Sequence, residues 1–295
     1  MSKFAGKQNG ILLAPEMKSA KNKVLYWIMF GFLVTVALMG ILPSVWVLLS
    51  GFKDVKEMYQ IPASLFPEEI RLGKLVEVWN YLDFKQAYIS TIILSAGEIA
   101  FAIVFPALGG YVLSRLRPRG SKFVRALLLW TMMMPAQMRM VPIFMSLMNV
   151  PILNISLTNS YLPFWFMCGA NIFDCLLFKS FFDSIPISYL EAGRIDGCSD
   201  LKIFTSIILP LSKPVIAVIV IRTFIQAWGS YIWPLLLIQD ENLAPMGLKL
   251  YRLRSGYRID EYMLGLIYGI LPVFIMYLCF HKQIIKGMNI GGIKG

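Results

Sequence analysis

Four ionisable side chains stand inside long apolar stretches of the chain: Glu98, Arg139, Asp174 and Arg222. A charge in such surroundings is costly unless it is paired or faces a polar path, so each is a functional candidate. Glu98 and Arg222 form the natural pair. Counted along helices, Glu98 lies about 18 Å from one end of its stretch and Arg222 about 12 Å from the opposite end of its own. These depths coincide in an apolar layer about 30 Å thick. Asp174 lies close enough to the end of its stretch to reach water. Arg139 has no acidic residue at its depth, and an unpaired guanidinium suits a carboxylate or sulfate through paired hydrogen bonds. Trp228, Tyr231 and Trp233 cluster near the end of another apolar stretch. Such rings either anchor a chain at a membrane face or offer a surface on which a ligand ring stacks.

Other chemistry is missing from the sequence. The single histidine, His281, has no ligand partners, so no metal site is expected. Cys168, Cys175, Cys198 and Cys279 make no C-x-x-C pair and read as free buried thiols. There is no G-x-x-x-x-G-K-[S/T] phosphate loop, so any nucleotide would bind another chain. Neither H-E-x-x-H nor a paired-carboxylate site is present, and no enzymatic activity is expected. The basic run Arg115-Leu116-Arg117-Pro118-Arg119 has the composition of a nucleic-acid contact. It falls at the edge of an apolar stretch and reads instead as a topological anchor, with no nucleic-acid partner.

The elements that must position these groups are membrane helices. The 295 residues are 57% hydrophobic and only 15% charged, with a mean hydropathy of +0.65. A water-soluble domain of this length needs more polar surface. Residues 24–50, 140–173 and 262–280 carry no charge. Each is long enough to cross lipid as a helix, and none alternates with the period of a barrel strand. Six spans are predicted: 24–50, 86–114, 126–150, 161–178, 214–238 and 262–280. The expected class is therefore an all-α integral membrane protein. It would consist of a cytoplasmic arm 1–23, a six-span domain 24–285 and a cytoplasmic tail 286–295. Lysine and arginine are concentrated in the arm, in 115–125, in 179–213 and in the tail, and are fewer in 51–85 and 239–261. This places both termini in the cytoplasm. The first apolar block is too long for a signal peptide and reads as a retained anchor.

One loop departs from the plain connections. Between spans four and five, residues 184–213 suit a short helix, a turn and a second short helix. Ser188 and Glu191 have capping-box spacing, which predicts a helix start at Ser188. Gly197 suits a left-handed helix end, Asp200 a cap for the next turn, and Pro210 and Pro214 a break before span five. The first helix mixes Tyr189, Leu190 and Ile195 with Glu191, Arg194 and Asp196. It is amphipathic, and suits either a lipid surface or a groove on another protein; the mixed charge favours the groove.

This segment resembles the coupling-loop signature of ABC importer permeases: Glu-Ala-Ala, three residues, Gly, nine residues, Ile, one residue, Leu-Pro. Here Glu191-Ala192 opens it, Gly197 follows at the same spacing, and Ile207-Ile208-Leu209-Pro210 closes it. Gly193 stands where the family usually has Ala. Arg194-Ile195-Asp196-Gly197, Phe204, Leu209 to Pro214, the turn after Tyr111, Met134-Pro135-Ala136-Gln137 and the ending from Lys286 to Gly295 are similar to the carbohydrate-uptake, maltose-type branch. Trp228-Gly229-Ser230 departs from the Trp-Asn-Asp common there.

The resemblance implies a second permease subunit, two ATPase subunits that bind ATP and magnesium, and an extracytoplasmic binding protein. It also implies an oligosaccharide substrate and a location in the bacterial plasma membrane. It puts ATPase coupling on Tyr189, Leu190, Glu191, Ala192, Arg194, Ile195, Asp196, Gly197, Asp200 and Phe204. The ionisable and aromatic residues of the apolar stretches, Glu98, Arg139, Arg222, Trp228, Tyr231 and Trp233, are the candidates for a substrate pathway, with Arg139 and Arg222 suited to an acidic glycan. A permease for a non-sugar solute is the nearest alternative. A secondary transporter explains the spans but has no need of the 188–210 loop.

Overall fold

In the computed structural model, residues 20–62 and 64–290 are described, with side chains for 21–62 and 64–281. Most of the arm 1–23, and the part of the tail 286–295 that carries the final glycines, lie outside them. The chain divides into two compact parts, residues 1–70 and 71–295.

In the first part, α1 (Ala20–Gly51) is an apolar helix of 32 residues. It is followed by the single turn α2 (Val55–Met58). Glu57 ties the segment after α2 by accepting hydrogen bonds from Ser64 Oγ at 3.1 Å and from the Glu68 amide at 3.0 Å. Lys53 is buried, with its ammonium 4.7 Å from the centre of the Trp46 ring.

The second part is built around one long helix. After α3 (Gly73–Tyr81), the side chain of Asp83 caps α4 (Phe84–Tyr111) by accepting from the Gln86 amide. A wider, π-type turn extends α4 to Leu116. These 33 residues give a rod of about 50 Å, longer than the apolar layer. The helices α7 (Leu162–Gly169) and α8 (Ile172–Ser184) lie along α4. Small residues allow the approach: a Cβ on Gly97 would stand 2.1 Å from the Trp165 ring. Trp165 in turn donates its indole N–H to the Leu94 carbonyl at 3.1 Å.

The expected third span, 126–150, is two helices. Chain order gives α5 (Ser121–Met133) and α6 (Ala136–Met148). The break falls at Met134, which is extended because Pro135 follows it. Each half has 13 residues, about 20 Å, and neither crosses lipid alone. The expected fifth span, 214–238, is also broken. After α9 (Ser188–Ile195), α10 (Asp200–Ile203) and α11 (Leu209–Leu211) comes α12 (Lys213–Gly229). The segment Asp200–Leu211 meets α12 at 74°, where Ser212 is followed by Pro214 at the start of the new helix. Ser230 then separates α12 from α13 (Ile232–Leu237). The chain closes with α14 (Met246–Gly256) and α15 (Ile259–Ile290).

Among the described residues, four helices are long and apolar enough to cross a membrane, or five if the bent pair counts as one. No β-strand is present among them.

Candidate functional site

The helix α9 begins at Ser188, as the sequence predicts, but without the capping box: Ile187 occupies the cap position and makes no side-chain bond. Gly197 has φ +76°, the left-handed end that its residue type suggests. The next turn is capped by Ser199, whose hydroxyl accepts from the Lys202 amide, and not by Asp200. Asp200 meets Arg194 at 3.3 Å across the exposed surface, a pair of small energetic value.

The inner side of α9 is Leu190, 4% exposed, with Gly193. A Cβ on Gly193 would stand 3.0 Å from Ile207 and 3.1 Å from Ile203. Behind them lie Phe204 and Ile208, and beyond these Tyr111 of α4 and Phe178 and Phe182 of α8. The Tyr111 and Phe204 rings are 5.1 Å apart, and the Tyr111 hydroxyl donates to the Asp200 carbonyl at 3.3 Å. Leu190 and Phe204 therefore root the loop in the membrane part. The outer side consists of Tyr189, 49% exposed, and Ile195, 86% exposed, flanked by the exposed Glu191, Ala192, Arg194, Asp196 and Gly197.

The charges inside the spans pair differently from the sequence expectation. Arg222 forms its ion pair with Asp174, not with Glu98. It donates a second hydrogen bond to Gln226 at 3.1 Å. Asp174 does not reach water; it is 0% exposed. The α8–α12 packing brings the two together, whereas counting depth along helices contains no information about which faces meet. Glu98 is buried on α4 with no ion-pair partner among the described residues. Arg139, on α6, keeps a buried Nε with no hydrogen-bond partner among the described residues.

A recess of about 740 Å³ lies between α12, α14 and α15. Trp228, Tyr231, Tyr251, Tyr262 and Tyr277 line it, with Arg254 as its one cation. Tyr231 and Tyr251 stack with ring centres 5.0 Å apart and planes at 13°. Trp228 is 4% exposed, and its buried indole N–H has no acceptor among the described residues. The wall is fixed by the segment 239–246, held to α4 through Gln86 and Ser90, which both donate to the Asn242 carbonyl. The Met246 amide donates to Thr91 Oγ1 at 2.7 Å. Of the sequence candidates, Trp228 and Tyr231 line the recess. Trp233 does not; it packs against the cluster of Phe164, Leu237 and Leu248. Arg139, Arg222 and Glu98 are not part of the recess wall. Sequence reading missed Tyr251 and Arg254 because they lie on α14, which is short and polar enough to pass for a connecting loop.

The family model described as binding-protein-dependent transport system inner membrane component matches residues 102–281. The chain belongs to this family. The matched stretch contains Asp174, all of α9, Arg222 and every residue of the recess. The permease is 27% identical to the arabinooligosaccharides transport system permease protein of Bacillus subtilis, over 90% of this chain and 94% of that one. It is also 27% identical to the polygalacturonan/rhamnogalacturonan transport system permease protein of the same organism, over 93% of this chain and 100% of that one. Among solved structures it shares its fold with a chain from a bacterial ABC transporter involved in the import of the acidic polysaccharide alginate. The TM-score is 0.78, with 24% identity, 90% of this chain covered and 98% of the other.

Proposed function

We propose that this permease is one of two unlike membrane subunits of an ATP-driven oligosaccharide importer, and that α9 is the part that docks on an ATPase subunit. One observation carries the reading: the family domain holds a short helix whose inner side is rooted in the core through Leu190. Its outer side leaves Tyr189 and Ile195 uncovered among charges. Exposed apolar side chains among charges fit a groove on a partner. Two ATPase subunits bind ATP and magnesium, and their closure pushes α9. The push passes through Phe204 and Tyr111 into α4, the longest rod of the second part. The pathway then alternates between inward- and outward-open states as a rigid-body change. An extracytoplasmic binding protein delivers the substrate. The lysine and arginine distribution puts α9 and both termini on the cytoplasmic side.

The relatives and the recess support the substrate class. The relatives above are permeases of arabinooligosaccharide and polygalacturonan/rhamnogalacturonan systems, and the structural neighbour serves the acidic polysaccharide alginate. The stacked Tyr231–Tyr251 pair offers a flat surface to sugar rings. Arg254, on the same wall, suits a carboxylate. Arg222 is already neutralised by Asp174, so acid recognition rests on Arg254 and Arg139.

Uptake into membrane vesicles containing the whole importer tests this. Transport is expected to require ATP and to favour uronate oligosaccharides over neutral ones of equal length. Arg254→Gln is expected to reduce that preference about ten-fold, the effect of roughly 1.4 kcal/mol. ATP-independent uptake would overturn the importer reading. An unchanged preference in Arg254→Gln, or a preference for neutral sugars, would overturn the acidic one.

A further inference from the structure

A second recess, about 370 Å³, lies where the π-type turn after α4, the start of α5 and the end of α8 come together. Leu113 and Ser121 line it with four cations: Arg117, Lys122, Arg125 and Lys179. The backbone builds it deliberately. Arg117 has φ +44° and Gly120 φ +88°, so the chain folds back on itself within four residues. The Arg117 Nε donates to the Ser114 carbonyl at 2.6 Å, which holds the side chain over the opening. One carboxylate answers the four cations: Asp183 pairs with Lys179 and lies 3.7 Å from Arg117. Lys122 and Arg125 have no ion pair among the described residues, and no side chain caps the first turn of α5. The recess thus keeps about three uncompensated positive charges.

A free anion would need only that charge. The same side of α5 adds something else: Leu129 and Met132 follow Lys122 and Arg125 at helical spacing, both exposed, and run from the recess along the helix. A phosphate-bearing head beside an apolar track is the outline of a lipid. We propose that this recess binds the headgroup of an anionic phospholipid, cardiolipin or phosphatidylglycerol, with its acyl chains along Leu129 and Met132. Basic pockets between spans at a membrane face suit such heads, and each cation near the surface is worth roughly a five-fold gain in binding. The inference takes from the proposed importer only that α5 begins at a membrane surface.

The test uses the intact importer purified in mild detergent and mixed with cardiolipin and phosphatidylcholine in equal amounts, with bound lipid counted by native mass spectrometry. The wild type is expected to retain cardiolipin in preference. Lys122→Gln combined with Arg125→Gln is expected to weaken it roughly 25-fold, five-fold for each cation. Arg119→Gln, outside the recess, is expected to leave retention unchanged. Equal retention of both lipids, or retention unaffected by the double substitution, would reduce these cations to anchors of topology and overturn the proposal. Displacement of the lipid by millimolar inorganic phosphate would assign the recess to a free anion and overturn it as well. So would loss of a co-purifying ATPase from the double variant with lipid retained. If the wild type carries no ATPase at all, the importer reading fails while the lipid count still decides this one.

Discussion

Asp174 and Arg222 show how a charge is tolerated inside a span. The carboxylate is fully enclosed, and the guanidinium answers it from the facing helix while also holding Gln226. Removing Arg222 leaves a fully enclosed carboxylate uncompensated, which costs about 3–5 kcal/mol, whereas Arg222 is itself 35% exposed and is left at a lower cost when Asp174 is removed. Arg222→Met alone is therefore expected to lower the thermal midpoint of the purified permease strongly, and Asp174→Leu alone to lower it less. The double substitution is expected to recover most of the loss. Additive losses in the double variant would mean that the two side chains do not act as a pair. The sequence showed that Arg222 needed an acidic partner but pointed to Glu98. Depth along a helix is legible in sequence; the face on which a residue lies relative to its neighbours depends on how α8 and α12 pack.

At the scale of elements, α9 has two sides with different surroundings. Leu190 is sealed against Ile203 and Phe204, whereas Ile195 is almost fully exposed one turn later. Leu190→Ala is expected to cost about 2–5 kcal/mol as a core truncation. Ile195→Ala is expected to leave the thermal midpoint within a degree or two of the wild type, so equal losses would contradict the two-sided arrangement. Gly197, at φ +76°, is expected to resist replacement: Ala there costs roughly 1–2 kcal/mol from backbone strain, read as a lowered midpoint in the same measurement. The start of α9, its glycine end and the proline break before α12 were all legible, because each depends on local backbone chemistry. The cap assignments at Ser188 and Asp200 were not, because a neighbouring residue, Ile187 or Ser199, took the position instead. The broken span at Met134-Pro135 was missed for the opposite reason. Apolar length alone counts residues and does not register that the one before proline leaves the helix.

For the whole molecule, the helical membrane class followed from composition, since no other arrangement satisfies so much apolar backbone in lipid. The recess beneath α14 did not. It exists because residues 239–246 are held against α4, over a hundred positions away in sequence. The central claim is that the exposed side of α9 is a docking surface for an ATPase. The direct test is purification of the tagged permease from its native membrane in mild detergent, with co-purifying chains identified by mass. The wild type should bring down a second permease and an ATPase. Ile195→Asp should lose the ATPase and keep the second permease and the wild-type thermal midpoint. An ATPase recovered equally with Ile195→Asp, or never recovered with the wild type, would contradict the claim.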